Sequence, residues 1–103
     1  MPVNHAIDTD QVVTLRRKAT VTCKHIEQIG AVRPSAPGCQ DCLELGQEWV
    51  HLRICMSCGY VGCCDSSIGK HASKHAAAVG HPIARSMEPG EVWGWCYVDE
   101  EKL

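Results

Sequence analysis

Residues Trp49-Val50-His51-Leu52-Arg53-Ile54 mix alternating apolar and polar positions with β-forming side chains, and they read as a strand that delivers Cys55. Pro82-Ile83-Ala84-Arg85 and Val92-Trp93-Gly94-Trp95-Cys96-Tyr97-Val98 read as two further strands. Between them Glu88-Pro89-Gly90 predicts a turn, with proline set for the bend and glycine for a positive φ. The pattern changes from about Gly69 to Val79, where an alanine-rich stretch predicts a helix ended by Gly80. Val12-Val13-Thr14-Leu15 reads as a short strand with Arg16-Arg17-Lys18 solvated behind it. Arg33-Pro34-Ser35-Ala36-Pro37-Gly38 is a loop, because its prolines and glycine exclude regular structure. The elements predict a small α+β domain, a short antiparallel sheet with one main helix. Residues 1–22 form an N-terminal segment and 23–103 the domain proper.

Composition shows what such a domain lacks. Valine, isoleucine and leucine number 10, 6 and 5 in 103 residues and phenylalanine is absent, so the hydrophobic core is thin. With a net charge of only −2 the chain is not a typical disordered one, and something other than apolar burial must hold it. A structural metal would do so, since zinc binding contributes on the order of 10 kcal/mol of folding free energy.

The cysteines and histidines are spaced for that purpose. Cys39-x2-Cys42 and Cys55-x2-Cys58 are two knuckles, each able to present two sulfurs to one ion. They are followed by Cys63, with Cys64 beside it, and by His71-x3-His75-x5-His81. Zinc is borderline soft, takes thiolate and imidazole together and prefers four ligands, so this set makes up most of two tetrahedral sites. The spacing permits a zinc-ribbon pairing, with Cys39, Cys42, Cys55 and Cys58 on one ion, as readily as an interleaved one. Disulfides are the less economical account of these spacings. Zinc-bound thiolates, together with an N-terminus that has no basic region followed by an apolar stretch, predict a reducing, cytoplasmic setting. No apolar run approaches membrane-spanning length, so no membrane is expected as a partner.

The series Cys39-x2-Cys42, Trp49, Cys55-x2-Cys58-Gly59-Tyr60-Val61-Gly62-Cys63, His71-Ala72-x2-His75, Gly80-His81-Pro82 and Trp95-Cys96-Tyr97 resembles the UBP-type zinc finger. That module occurs in ubiquitin-specific proteases and in a cytoplasmic histone deacetylase, and here it reads as a finger standing alone. The resemblance implies a sheet with helices packed around one to three zinc ions, with interleaved ligands. One site would be Cys39, Cys42, Cys63 and His71, and a second Cys55, Cys58, His75 and His81. A third, as in the more zinc-rich members, would join Cys23 and His25 to Cys96. Its usual fourth ligand is a cysteine, where this chain has Asp99, and a carboxylate oxygen can complete tetrahedral zinc. Two or three Zn2+ ions are therefore expected.

The resemblance also implies a partner class. Ubiquitin-binding members capture a free Gly-Gly carboxyl terminus between aromatic walls, and Trp95 and Tyr97 match aromatic pocket positions. The family's Cys-Gly-Arg stretch, whose arginine contributes to tail binding, is here Cys63-Cys64-Asp65-Ser66. A negative charge at Asp65 repels a carboxylate, so the expected partner is a protein or peptide C-terminal tail other than ubiquitin. Two other classes fare worse. Nucleic-acid binding lacks the usual basic domain: a closed Cys3His site adds one more negative charge to the −2 and Cys2His2 adds none. A thiol-based redox or zinc sensor is open to every thiolate-rich site and nothing marks it here. Catalysis is not expected. His25-Ile26-Glu27 and Pro37-Gly38-Cys39-Gln40-Asp41-Cys42 echo a zinc-deaminase signature, but a glycine interrupts its Pro-Cys step and the halves lie too close.

Overall fold

The structure, a computed structural model, describes residues 6–15 and 23–103. Five strands, β1 (Leu52–Cys55), β2 (Val61–Cys63), β3 (Ile83–Ser86), β4 (Gly94–Cys96) and β5 (Glu101–Lys102), form one antiparallel sheet in the order β2-β1-β3-β4-β5. Two helices accompany it, α1 (Gln40–Leu45) and α2 (His71–Val79), and Lys24–Gln28 makes a short 3-10 turn. The small α+β fold with one main helix is thus present.

Strand β1 lies inside the sheet, paired with β2 on one side and β3 on the other. Leu52 and Ile54 are fully buried, and with Met56, Val61 and Ile83 they form the apolar centre. Helix α2 packs on β2 and β1 through two small residues, Ala72 and Ala76, one turn apart. The approach is close: a Cβ at Gly62 would lie 2.6 Å from the backbone nitrogen of Ala72. The helix starts at His71 rather than near Gly69, since Lys70 sits in the left-handed region at φ 50°. Its other end is Gly80, left-handed at φ 70°, as the glycine stop requires.

The predicted strands shorten to the residues that find partners. Trp49, Val50 and His51 precede β1, and Val92 and Trp93 precede β4. Val12–Leu15 contributes a single antiparallel bridge, Val13 to Val32, in place of a strand. Arg16-Arg17-Lys18 lies outside the described residues. Residues 33–38 form the predicted loop, and at the Glu88–Gly90 turn Glu91 N–H donates to the Glu88 carbonyl at 3.0 Å with Gly90 at φ 81°.

Among the glycines, Gly59, directly after the second knuckle, leaves the least room for a side chain. Its φ is +84°, and a Cβ there would lie 2.1 Å from the Arg33 carbonyl oxygen. Gly59→Ala combines left-handed strain with that clash, so it should lower the stability of the metal-loaded protein by at least about 2 kcal/mol. Chemical denaturation would read this directly, and a loss below about 0.5 kcal/mol would contradict the packing.

Candidate metal centre

Cysteine 39 caps α1: its Sγ accepts the backbone N–H of Cys42 at 3.4 Å, so the first knuckle is the helix N-terminus itself. Cys63 ends β2 and His71 opens α2. These elements bring three fully buried cysteines and a half-buried histidine together. The Nδ1 of His71 lies 3.3 Å from the sulfurs of Cys39 and Cys42 and 3.4 Å from that of Cys63, and the Cys42 and Cys63 sulfurs are 3.8 Å apart. A tetrahedral zinc ion, with Zn–S about 2.3 Å and Zn–N about 2.0 Å, sets S···S edges of about 3.8 Å and S···N edges of about 3.5 Å. The donor set fits that ion.

A second cluster forms at the other end of α2. Cys55 ends β1, Cys58 follows in the turn, His75 lies one helical turn beyond His71, and His81 follows the helix. Cys55 Sγ is 3.5 Å from His81 Nδ1 and Cys58 Sγ is 3.3 Å from His75 Nε2. Tyr60 stacks on His75 at 4.1 Å and fixes its ring, while the tyrosine hydroxyl donates to Asp41. Consecutive turns of one helix therefore serve two clusters, and each knuckle pairs with later residues rather than with the other knuckle.

The third cluster gathers Cys23, at the start of the 3-10 turn, and His25, within it, with Cys96 and Asp99. His25 Nδ1 is 3.1 Å from Asp99 Oδ2, 3.5 Å from Cys23 Sγ and 3.6 Å from Cys96 Sγ, and the Asp99 N–H donates to Cys96 Sγ at 3.4 Å. In each of the three groups the donor atoms lie within 4.8 Å of one another. All eight cysteines are free thiols, so the disulfide account falls. Burial pushes the Cys23 thiol up to about 12, and burial together with neighbouring sulfurs raises Cys42 well above the usual thiol range. A divalent cation is what converts such crowded thiols into thiolates.

Cys64, next to Cys63, belongs to none of the clusters. It is buried, with its sulfur 3.5 Å from Ser67 Oγ. His51 is likewise outside them and His5 lies beyond the described residues.

One pocket, of about 220 Å³, opens on the same face as Cys64. Trp95 and Tyr97, the two aromatics expected there, both line it, as do His51, Arg53, Asp65 and Trp93. The Arg53 guanidinium sits 4.6 Å from the centre of the Trp93 ring. Asp65 is held by the Ser73 hydroxyl at 2.8 Å. Burial, and then the Asp65 charge, push the Tyr97 hydroxyl up to about 12. Of the basic residues Arg53, Arg85 and Lys70, any of which could offset the Asp65 charge, Arg53 lines the pocket, and Trp93 and His51 join it with no prior expectation from the sequence. The spacing Trp93-x-Trp95-x-Tyr97 carried a usable signal for the tryptophan, since alternate residues share a strand face. Among the described residues no helix is long and apolar enough to cross a membrane.

A family model described as the Zn-finger in ubiquitin-hydrolases and other proteins matches residues 39–103. Among solved structures, a Rhodopseudomonas palustris protein determined by solution NMR is similar, with 56% identity over 82% of each chain and a TM-score of 0.75. No curated protein matches the chain.

Proposed function

The chain belongs to the zinc fingers of ubiquitin-hydrolases and other proteins, and we propose that it is a non-catalytic module, built on two or three structural zinc ions, that binds the carboxyl-terminal tail of a partner protein. The observation that carries this reading is the pocket walled by Trp95 and Tyr97 with Arg53 inside it. At about 220 Å³ it is smaller than the ~300–1,000 Å³ of pockets for drug-sized ligands. A thin glycine-ended chain suits it better than a bulky side chain. Arg53, stacked on Trp93, supplies a cation for a terminal carboxylate. Asp65 stands on the same wall and opposes it. The balance favours a tail other than ubiquitin's and an affinity below that of a pocket lined by arginine alone. Each cluster supplies four donors, which closes the coordination sphere and supports the non-catalytic reading. The thiol-rich sites favour a reducing, cytoplasmic setting, with neither a membrane nor nucleic acid as partner.

The test is an NMR titration of the zinc-loaded chain with a pentapeptide ending in Gly-Gly, as the free acid and as the amide. The free acid should shift the Trp95 and Tyr97 signals and the amide should bind at least about tenfold more weakly. Arg53→Ala should abolish that preference, and Asp65→Arg should tighten the free acid at least about tenfold. Equal shifts from acid and amide would sink the carboxylate reading. A mobility shift with random DNA or RNA should be absent.

A further inference from the structure

The three clusters differ in what they hold together. The first joins α1, β2 and α2, and the second joins β1 and the turn after it to α2 and to His81 just beyond the helix, so both cross the centre of the fold. The third ties the 3-10 turn at Lys24–Gln28 to the loop between β4 and β5, at the edge of the sheet where β5 is only two residues long. It also has a different donor. Asp99 is a hard carboxylate, its side chain 38% exposed, and His25 is 29% exposed. Cys58 leaves the second cluster open to solvent as well, so exposure alone does not separate the two. The oxygen donor does, because zinc held by two thiolates, an imidazole and an accessible carboxylate is bound less tightly than zinc held by sulfur and nitrogen alone.

Cys96 stands between Trp95 and Tyr97. Successive strand residues face opposite sides, and here Cys96 is fully buried while its two neighbours turn into the pocket. The loop that follows carries Glu100 in the left-handed region at φ 51°, and the Asp99 N–H to Cys96 Sγ contact closes it. An ion at this cluster would clamp the segment that positions the Tyr97 wall.

We propose that Cys23, His25, Cys96 and Asp99 form an exchangeable zinc site whose occupancy sets the Trp95–Tyr97 wall of the pocket, while the other two clusters hold the fold. The pocket is thereby responsive to zinc without the domain unfolding. The effect on tail binding rests on the reading given under Proposed function, but exchange and the response of the wall do not.

The experiment titrates the zinc-loaded full chain with a chelator of moderate affinity and follows it by native mass spectrometry and amide NMR. One ion of three should leave first. Amide signals of Trp95, Cys96 and Tyr97 should move as it does, and those of His71, His75 and His81 should not. Asp99→Cys should raise the chelator concentration needed for the first loss at least about tenfold. Asp99→Asn should give a folded chain with two ions and the shifted Trp95 and Tyr97 signals, so a poorly folding cysteine variant would not leave the question open. Loss of all ions in one step, binding of only two ions by the unaltered chain, or identical Trp95 and Tyr97 signals in the two- and three-ion forms would overturn the proposal. The pentapeptide should bind the two-ion form at least about tenfold more weakly. If it binds neither form while the ion and the signals behave as described, the tail-binding reading fails and the exchangeable site stands.

Discussion

Stripped of all metal by a strong chelator, the chain should lose both its cooperative unfolding transition and its amide dispersion. Among the described residues, the ten largest fully buried side chains are Leu52, Ile54, Met56, Ile83 and Val61, four cluster cysteines (Cys39, Cys42, Cys63 and Cys96) and Ser86. The centre of the molecule is thus as much sulfur as hydrocarbon. Without a cation those cysteines are small side chains facing one another, and Tyr60, stacked on His75 and donating to Asp41, is left to link α1 to α2. A structural zinc site contributes on the order of 10 kcal/mol, comparable with the 5–15 kcal/mol net stability of an ordinary domain. Removing the ions of the first two clusters should therefore cost the whole of it. Near-ultraviolet circular dichroism and an amide correlation spectrum on the chelated chain are sufficient measurements. A native-like spectrum in excess chelator would show that the apolar core suffices without metal.

The residues that gather into clusters are the most readable part of this sequence, because a knuckle is a local object. Cys39 and Cys42 meet whatever the rest of the chain does, and His71 and His75 must lie one helical turn apart once α2 forms. Which knuckle shares an ion with which histidine is a tertiary matter. Spacing left that open, and the structure groups them by the packing of α2 on β2 and β1. Helix α1 escaped the hydrophobic pattern for a physical reason: Leu43 and Leu45 are exposed, and Cys42 is the residue it buries. Its one visible signal was Gly46, the left-handed stop at φ 69°. Strand β2 is three residues long and β5 is two, with polar Glu101 and Lys102, so pairing rather than periodicity makes them strands. The pocket divides in the same way. Trp95 and Tyr97 were readable from the resemblance, but Arg53 reaches it only through the sheet, where β1 pairs with β3 and β3 with β4. No local pattern around Arg53 announces that register.

Cys63→Ser and Cys64→Ser, adjacent substitutions of the same kind, should differ more than any other neighbouring pair in the chain. Cys63 Sγ lies 3.4 Å from His71 Nδ1 and 3.8 Å from Cys42 Sγ, and it accepts the His71 backbone N–H at 3.3 Å. It therefore belongs to the first cluster, whose three sulfurs are fully buried, and anchors the start of α2 as well. Serine there removes a thiolate and leaves a harder, less easily ionised hydroxyl, so the first ion should be lost and the fold with it. Cys64 points elsewhere, with its sulfur 3.5 Å from Ser67 Oγ. Serine at 64 keeps a polar partner within reach and changes little volume, which should cost no more than about 1 kcal/mol and leave the metal count unchanged. Ion stoichiometry by native mass spectrometry, together with a denaturant unfolding curve for each variant, decides the matter. If Cys64→Ser loses an ion while Cys63→Ser keeps its full complement, the strand end is out of register by one residue. Every ligand assignment that runs through β2 would then have to be redrawn.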